Sequence, residues 1–344
     1  MSVQLTSWGL ARFGKRPEPL VELLAEAGAR ALEGIGRKPV GHVVVGNMAA
    51  GTLTGEENLA ARVAERLGLE GAAGVRVEAA SATGAAAFHA GVAAVASGQA
   101  DRVLILAGEK MTDRPTREVA RVLAHTLAPG EQAVGATMPA LAALVTQLYL
   151  ARHGLEASVL DPVSVQARRN GVANEHAQFR SAVSAEEVRQ SRPIALPLRL
   201  LHCAPVSDGA AAVVVERGEG PATVAGLGQG FDAVPLVDRA TVTSFKATRV
   251  AAQRAYEMAH LTRKEVQFAE LHDAFAPFAL IDLEDIGVVG PGEAPGWFAT
   301  GATAPDGRPW AARGANQLFT TPRSASTDFT PITRQASFFA MWLS

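Results

Sequence analysis

The chain has 344 residues, 48% of them hydrophobic and 19% charged, which is ample for a large core and unlike a disordered or low-complexity polymer. At about 150 residues per domain it has room for two domains, or one large one. Lys plus Arg number 32 and Asp plus Glu 34, a net charge of −2, so no global field draws in nucleic acid or an anionic membrane, and any partner must be recognised locally. The single cysteine, Cys203, excludes an internal disulfide and a Cys-based zinc cluster and suits a reducing cytoplasm. The opening MSVQLTSWGLARFGKRPEPL shows no signal peptide, and no apolar stretch approaches the roughly 18 residues of a membrane span, so the sequence reads as soluble and intracellular.

In chain order the spacing predicts a helix over Leu20–Leu32, strands over Val43–Val45 and Val75–Ala79, and a helix over Gly84–Ser97. A strand over Val103–Ala107 follows, then a helix over Met138–His153, a strand over Ala211–Val215, a helix over Thr248–His260 and a strand over Ala269–His272. β-Branched runs alternating with Ala-rich helical segments indicate an α/β protein with a helix-covered sheet. The helix GAAAFHAGVAAVASG is almost free of charge and should run through the centre, buried on every side. Residues 112–201, Pro-punctuated and carrying two Arg-rich helical segments, read as an elaborate insertion over one end of the core. RGEGPATVAG, from Arg217, reads as a linker into a second α/β unit beginning near Val224, a weak internal duplication. The composition then shifts abruptly: none of the 33 glycines follows Gly314, while Phe319, Phe329, Phe338 and Phe339 crowd the end. Such an end is either a terminal strand with a tail or a frame-shifted or misjoined segment.

Eight strings carry a resemblance. They are VVVGNMAAG (Val43–Gly51), ARVAERLGL (Ala61–Leu69), VEAASATGAAAF (Val77–Phe88), SGQADRVLILAGEKMTD (Ser97–Asp113), GATMPALAAL (Gly135–Leu144), HAQFR (His176–Arg180), PLRLLHCAPVSDGAAAVVV (Pro197–Val215) and ELHDAFAPFALIDLEDIGVV (Glu270–Val289). In this order and spacing the chain resembles the thiolase superfamily, specifically the thiolases of the sterol carrier protein type. The resemblance implies a five-layer αβαβα fold of two similar halves, residues 1–218 and 219–344. A loop domain at about 112–201 would cover the active site, and the second half would be incomplete or atypical after about residue 307. It also implies a homodimer or higher assembly and acyl-coenzyme A thioesters as ligands.

The family places its nucleophilic cysteine in a VEAxCASG-like turn at the start of a buried helix; here that position is Ser81. A helix N-terminus carries about +0.5 elementary charge and brings a thiol near pKa ~8.5 down into the physiological range. An alcohol needs a base within hydrogen-bond reach instead. The family's Gly-His-Pro and Cys-x-Gly motifs, which supply the base and a second cysteine, are absent from the sequence; the one Gly-His pair, Gly41 and His42, lies in the first half. His272, in HDAF, matches the residue that helps stabilise the thioester oxyanion. The blander readings are a helix-capping Ser81 and a satisfied strand-end His272.

Met138 matches a wall of the family's pantetheine tunnel, with a core methionine as the alternative. Arg168, Arg169 and Arg180 offer bidentate donors for coenzyme A phosphates, or simply a solvated helix face. His89 and His125 are bases only in the sense that imidazoles are present, and Asp208 reads as structural. GLGQG (Gly226–Gly230) and GVVGPG (Gly287–Gly292) lack the context of a dinucleotide fingerprint, so no metal or nucleotide cofactor is expected, with coenzyme A entering as substrate. Three functions compete: a weakened acetyl-coenzyme A acetyltransferase-type enzyme, a retro-aldolase working with an OB-fold partner, and a non-catalytic subunit or damaged-gene product. The two tyrosines, Tyr149 and Tyr256, both look helical and nominate no base for the aldolase.

Overall fold

The computed structural model describes residues 2–304 and the backbone of residues 311–314. The first half runs β1 (Val3–Leu10), α1 (Leu20–Glu33), β2 (His42–Gly46), α2 (Ala50–Leu53), α3 (Leu59–Arg66), β3 (Ala73–Val77), α4 (Thr83–Ala96) and β4 (Arg102–Glu109). An excursion follows: α5 (Thr116–Ala124), α6 (Pro129–Ala133), α7 (Met138–His153), α8 (Asp161–Val172), α9 (Ala185–Gln190) and the short strands β5 (Pro193–Ala195) and β6 (Leu198–Arg199). The chain returns as β7 (Gly209–Arg217) and β8 (Ala222–Thr223), then α10 (Lys246–Ala259), β9 (Phe268–Leu271), α11 (Ala276–Asp285), α12 (Ala294–Ala299) and β10 (Ala311–Gly314).

Six strands form one sheet in the order β3-β2-β4-β7-β1-β8. β2 lies parallel to β3 and β4, while β7 pairs antiparallel with both β4 and β1. Successive side chains of a strand point to opposite faces, and β2 shows the consequence. Val43 and Val45 join Leu104, Leu106 and the apolar faces of α1 and α3 in one core, while Val44 joins Val103, Ile105 and α4 in another.

The second half repeats part of this plan. α10 is followed by β9, whose parallel neighbour β10 pairs Phe268 with Ala311 and Leu271 with Gly314, as β3 pairs with β2. The extended segment before α10 lies flat on that helix: a Cβ on Gly226, Gly228 or Gly230 would sit 2.2, 1.8 and 2.8 Å from the carbonyl oxygens of Ala255, Ala251 and Ala247. GLGQG is therefore a packing motif, its three glycines facing successive turns of one helix. Gly9 of β1 makes the same close approach to Ala27 of α1, at 2.2 Å. A separate core holds Tyr149, Leu160, Leu271, Leu280 and Phe298, joining the excursion to this second half.

Several expectations change. β1 was not foreseen, and the predicted Val75–Ala79 strand lies two residues earlier, as β3. The linker is not wholly a linker: Ala222 and Thr223 are β8, an edge strand of the first sheet paired with β1. The charge-free helix is α4, and it is not buried on every side; it packs one face on the sheet through Val92 and Val95, while Ala93 and Ala96 are exposed. Its other side has no sheet against it among the described residues. The aromatic-rich tail after Gly314, and the stretch where a Gly-His-Pro motif would fall, lie outside the described residues.

Candidate active site

Ser81 sits in a single 3₁₀ turn, Ala80–Ala82, between β3 and α4. Thr83 holds the turn from both sides: its hydroxyl donates to Ala80 O at 2.7 Å and accepts from Ala79 N–H at 2.9 Å. The Glu78 carboxylate accepts from Ala80 N–H at 2.5 Å. Within this frame Ala80 is forced to φ +48°, a left-handed conformation that costs a non-glycine residue roughly 1–2 kcal/mol. The turn thus lifts position 81 outward, and Ser81 is exposed. Its hydroxyl makes no hydrogen bond among the described residues, and all eight histidines of the chain are among them. His89 lies two turns along α4, half-buried, and His125 is exposed. No Ser-His couple exists here.

His272 follows β9 and opens the loop into α11. Burial pushes its imidazole down to about 4, so at neutral pH the ring is uncharged and its N–H is the donor it can offer. The loop is held against the end of the excursion: Ala204 N–H donates to Ala274 O at 2.8 Å, and Cys203 bridges to Phe275. Cys203 is therefore close to the His272 loop. It is no replacement nucleophile, because burial pushes its thiol up to about 11 and its Sγ donates to Arg199 O at 3.4 Å.

Met138 is half-buried against the core that contains Leu271 and Phe275, the two residues flanking the His272 loop. Arg168 stacks 4.4 Å over the Phe179 ring, and burial lowers its guanidinium below its ordinary value. Its Nη1 is buried with no hydrogen-bond partner among the described residues. Arg169 and Arg180 are exposed, and Arg180 has no polar partner among the described residues. Neither tyrosine is a base: Tyr149 OH donates to Glu284 at 2.6 Å and Tyr256 OH to Ile286 O at 2.9 Å, and burial raises both phenols, Tyr256 to about 12.

The sequence did not nominate Asp282, buried in α11. Burial, together with the charges of Asp285 and Asp273, raises its carboxyl well above the usual range, while Thr248 donates to it at 3.0 Å. Only the fold brings that group together. Asp208 is structural, as read: wholly buried, it accepts from the N–H groups of Met111 at 2.7 Å, Thr112 at 2.8 Å and Arg16 at 3.0 Å, and from Lys110 Nζ at 3.3 Å. Among the described residues, no three His, Cys, Asp or Glu side chains are grouped to hold a metal ion, and no helix is long and apolar enough to cross a membrane.

The family model for the thiolase N-terminal domain matches residues 4–219, most of the chain. This protein belongs to the thiolase superfamily. The model described as thiolase C-terminal domain-like matches residues 228–330. The acetyl-CoA acetyltransferase of Methanocaldococcus jannaschii is 39% identical over 304 residues, 85% of this chain and 77% of that one. The 17-hydroxy-3-oxo-4-pregnene-20-carboxyl-CoA lyase of Mycobacterium tuberculosis is 32% identical over 184 residues, 50% of this thiolase-superfamily chain and 48% of the lyase. Among solved structures, the Ltp2-ChsH2(DUF35) aldolase superposes with a TM-score of 0.77 at 23% identity, covering 92% of this chain and 84% of that one, a likeness of fold.

Proposed function

We propose that this protein binds acyl-coenzyme A thioesters as a thiolase-type acyltransferase of acyl-coenzyme A or lipid metabolism, and that its classical thiolysis is weak. The observation that carries this reading is Ser81: an exposed alcohol at the outward turn before α4, with no imidazole bonded to it. The turn still offers the backbone N–H of Ser81 at a helix start, and neutral His272 an N–H, to a thioester oxyanion. Binding and polarisation of the carbonyl are thus supported, while the alkoxide that would attack it is not. Met138 and the stacked Arg168, with Arg180, are the proposed contacts to pantetheine and phosphate, and no metal or redox cofactor is invoked. The working unit is a homodimer, with the open edge of β3 left to a second copy, and a reducing cytoplasm suits the free Cys203 thiol.

Intact-mass measurement after incubation with acetyl-coenzyme A tests the reading. The natural protein should bind coenzyme A yet gain no acetyl group, and Ser81→Cys should become acetylated. Rapid acetylation of natural Ser81, or a Ser81→Cys variant that binds coenzyme A without reacting, would overturn it.

A second reading is favoured by the lyase match: retro-aldol cleavage of a β-hydroxyacyl thioester, with or without an OB-fold partner, or a binding subunit of such a pair. That chemistry needs an enolate-stabilising pocket but no covalent intermediate. Aldol cleavage retained in Ser81→Ala would select it.

A further inference from the structure

Behind the His272 loop, α8, α11 and α12 leave a cavity of about 10 Å³, lined by Val163, Gln166, Asn170, Asp273, Ala279 and Phe298. That volume is about what one water molecule requires. Asn170 is only 4% exposed, and its Nδ2 has no hydrogen-bond partner among the described residues. A buried amide donor without an acceptor is uncommon in folded proteins. Gln166 cannot turn to serve it, because its amide is committed in both directions to Thr303: Nε2 donates to Thr303 O at 3.0 Å and Oε1 accepts from the Thr303 hydroxyl at 2.7 Å. Across the lining lies Asp273, wholly buried, whose carboxylate has about four lone-pair sites and can accept more than one donor.

We propose that this cavity holds one ordered water, accepting from Asn170 Nδ2 and donating to the Asp273 carboxylate, and that Asn170 is thereby a positioning residue for His272. Asp273 immediately follows His272, and the loop is already fixed on its far side by the bond from Ala204 N–H to Ala274 O. The water supplies the tie on the α8 side. The role given to Asn170 rests on reading His272 as the oxyanion residue, whereas the water site itself does not.

A crystal structure at a resolution that orders single waters should show one within hydrogen-bond distance of both Asn170 Nδ2 and an Asp273 oxygen. No water there, or an Asn170 amide turned to another acceptor, would overturn the proposal. Asn170→Leu, similar in volume but without a donor, should lose the water. It should also move the His272 imidazole cross-peak by more than a linewidth in ¹³C-histidine NMR spectra, with the His42 and His89 peaks unmoved. Asn170→Ser, which keeps a donor and admits a second water, should return the His272 peak towards its natural position. An unmoved His272 peak in a folded Asn170→Leu protein would refute the positioning role. Should that variant not fold, the natural protein's water decides. Neither readout uses acyl-coenzyme A, so failure of the natural protein to bind acetyl-coenzyme A would sink the functional reading separately.

Discussion

At His272 the sign of the pH effect follows from its depressed value. The folded protein keeps this ring neutral down to about 4, while the unfolded chain protonates it near 6.5. Between these values the unfolded state binds the extra proton, so stability falls as pH drops through that window, and above it the group contributes no slope. Urea midpoints taken from pH 7 to 4 should therefore decline less steeply in His272→Gln than in the natural protein. Asp208 acts in a different way. Its loss as Asp208→Asn leaves Lys110, 3% exposed, with only the exposed Asp113 carboxylate at 3.0 Å and removes one of the acceptor oxygens on which the N–H groups of Arg16, Met111 and Thr112 converge, and should destabilise the fold by about 1–3 kcal/mol, measured by urea unfolding. Ser81 and His272 can be nominated from sequence because each sits in a short string whose residue types carry chemistry. Tyr149 was not, since its partner Glu284 lies 135 residues away and only the assembled core reveals that the phenol is spoken for.

At the scale of elements, the packing of residues 226–230 on α10 makes a ranked prediction. Adding a methyl group at Gly228, Gly226 or Gly230 brings it to 1.8, 2.2 or 2.8 Å from a helix carbonyl oxygen, and backbone cannot yield as a side-chain tip does. Gly228→Ala should cost about 3 kcal/mol or more, Gly226→Ala slightly less and Gly230→Ala least, read from denaturant midpoints. The strands within the parallel part of the sheet were legible, because Val43–Val45 and Val103–Ala107 are unbroken apolar runs. β1 was not: Gln4 and Ser7 are buried polar residues, and the register shift between Leu5 and Ser7 breaks the two-residue period that a reader would count. The boundary after β7 misled for a related reason, since a two-residue edge strand behind Gly-Glu-Gly-Pro carries no periodicity at all.

For the molecule as a whole, the six-stranded sheet ends at β3, where Ala73, Gly74 and Val75 are exposed. An uncovered edge of this kind invites strand pairing. Light scattering on the full chain should give the mass of two copies, and Val75→Lys should shift it to one; a natural protein of single-copy mass would contradict the homodimer. The duplicated plan was visible in outline from the sequence, but its extent was not, because β10 is recognisable only through its pairing with β9.

The turn before α4 is braced by the Glu78 carboxylate and the Thr83 hydroxyl, and the side chain at 81 takes no part in that bracing. Exchanging oxygen for sulfur there should leave the melting temperature almost untouched. The fold is indifferent to which atom stands at this post, so loss or recovery of a reactive group can pass without any penalty in foldedness, and only selection on turnover can tell the two proteins apart.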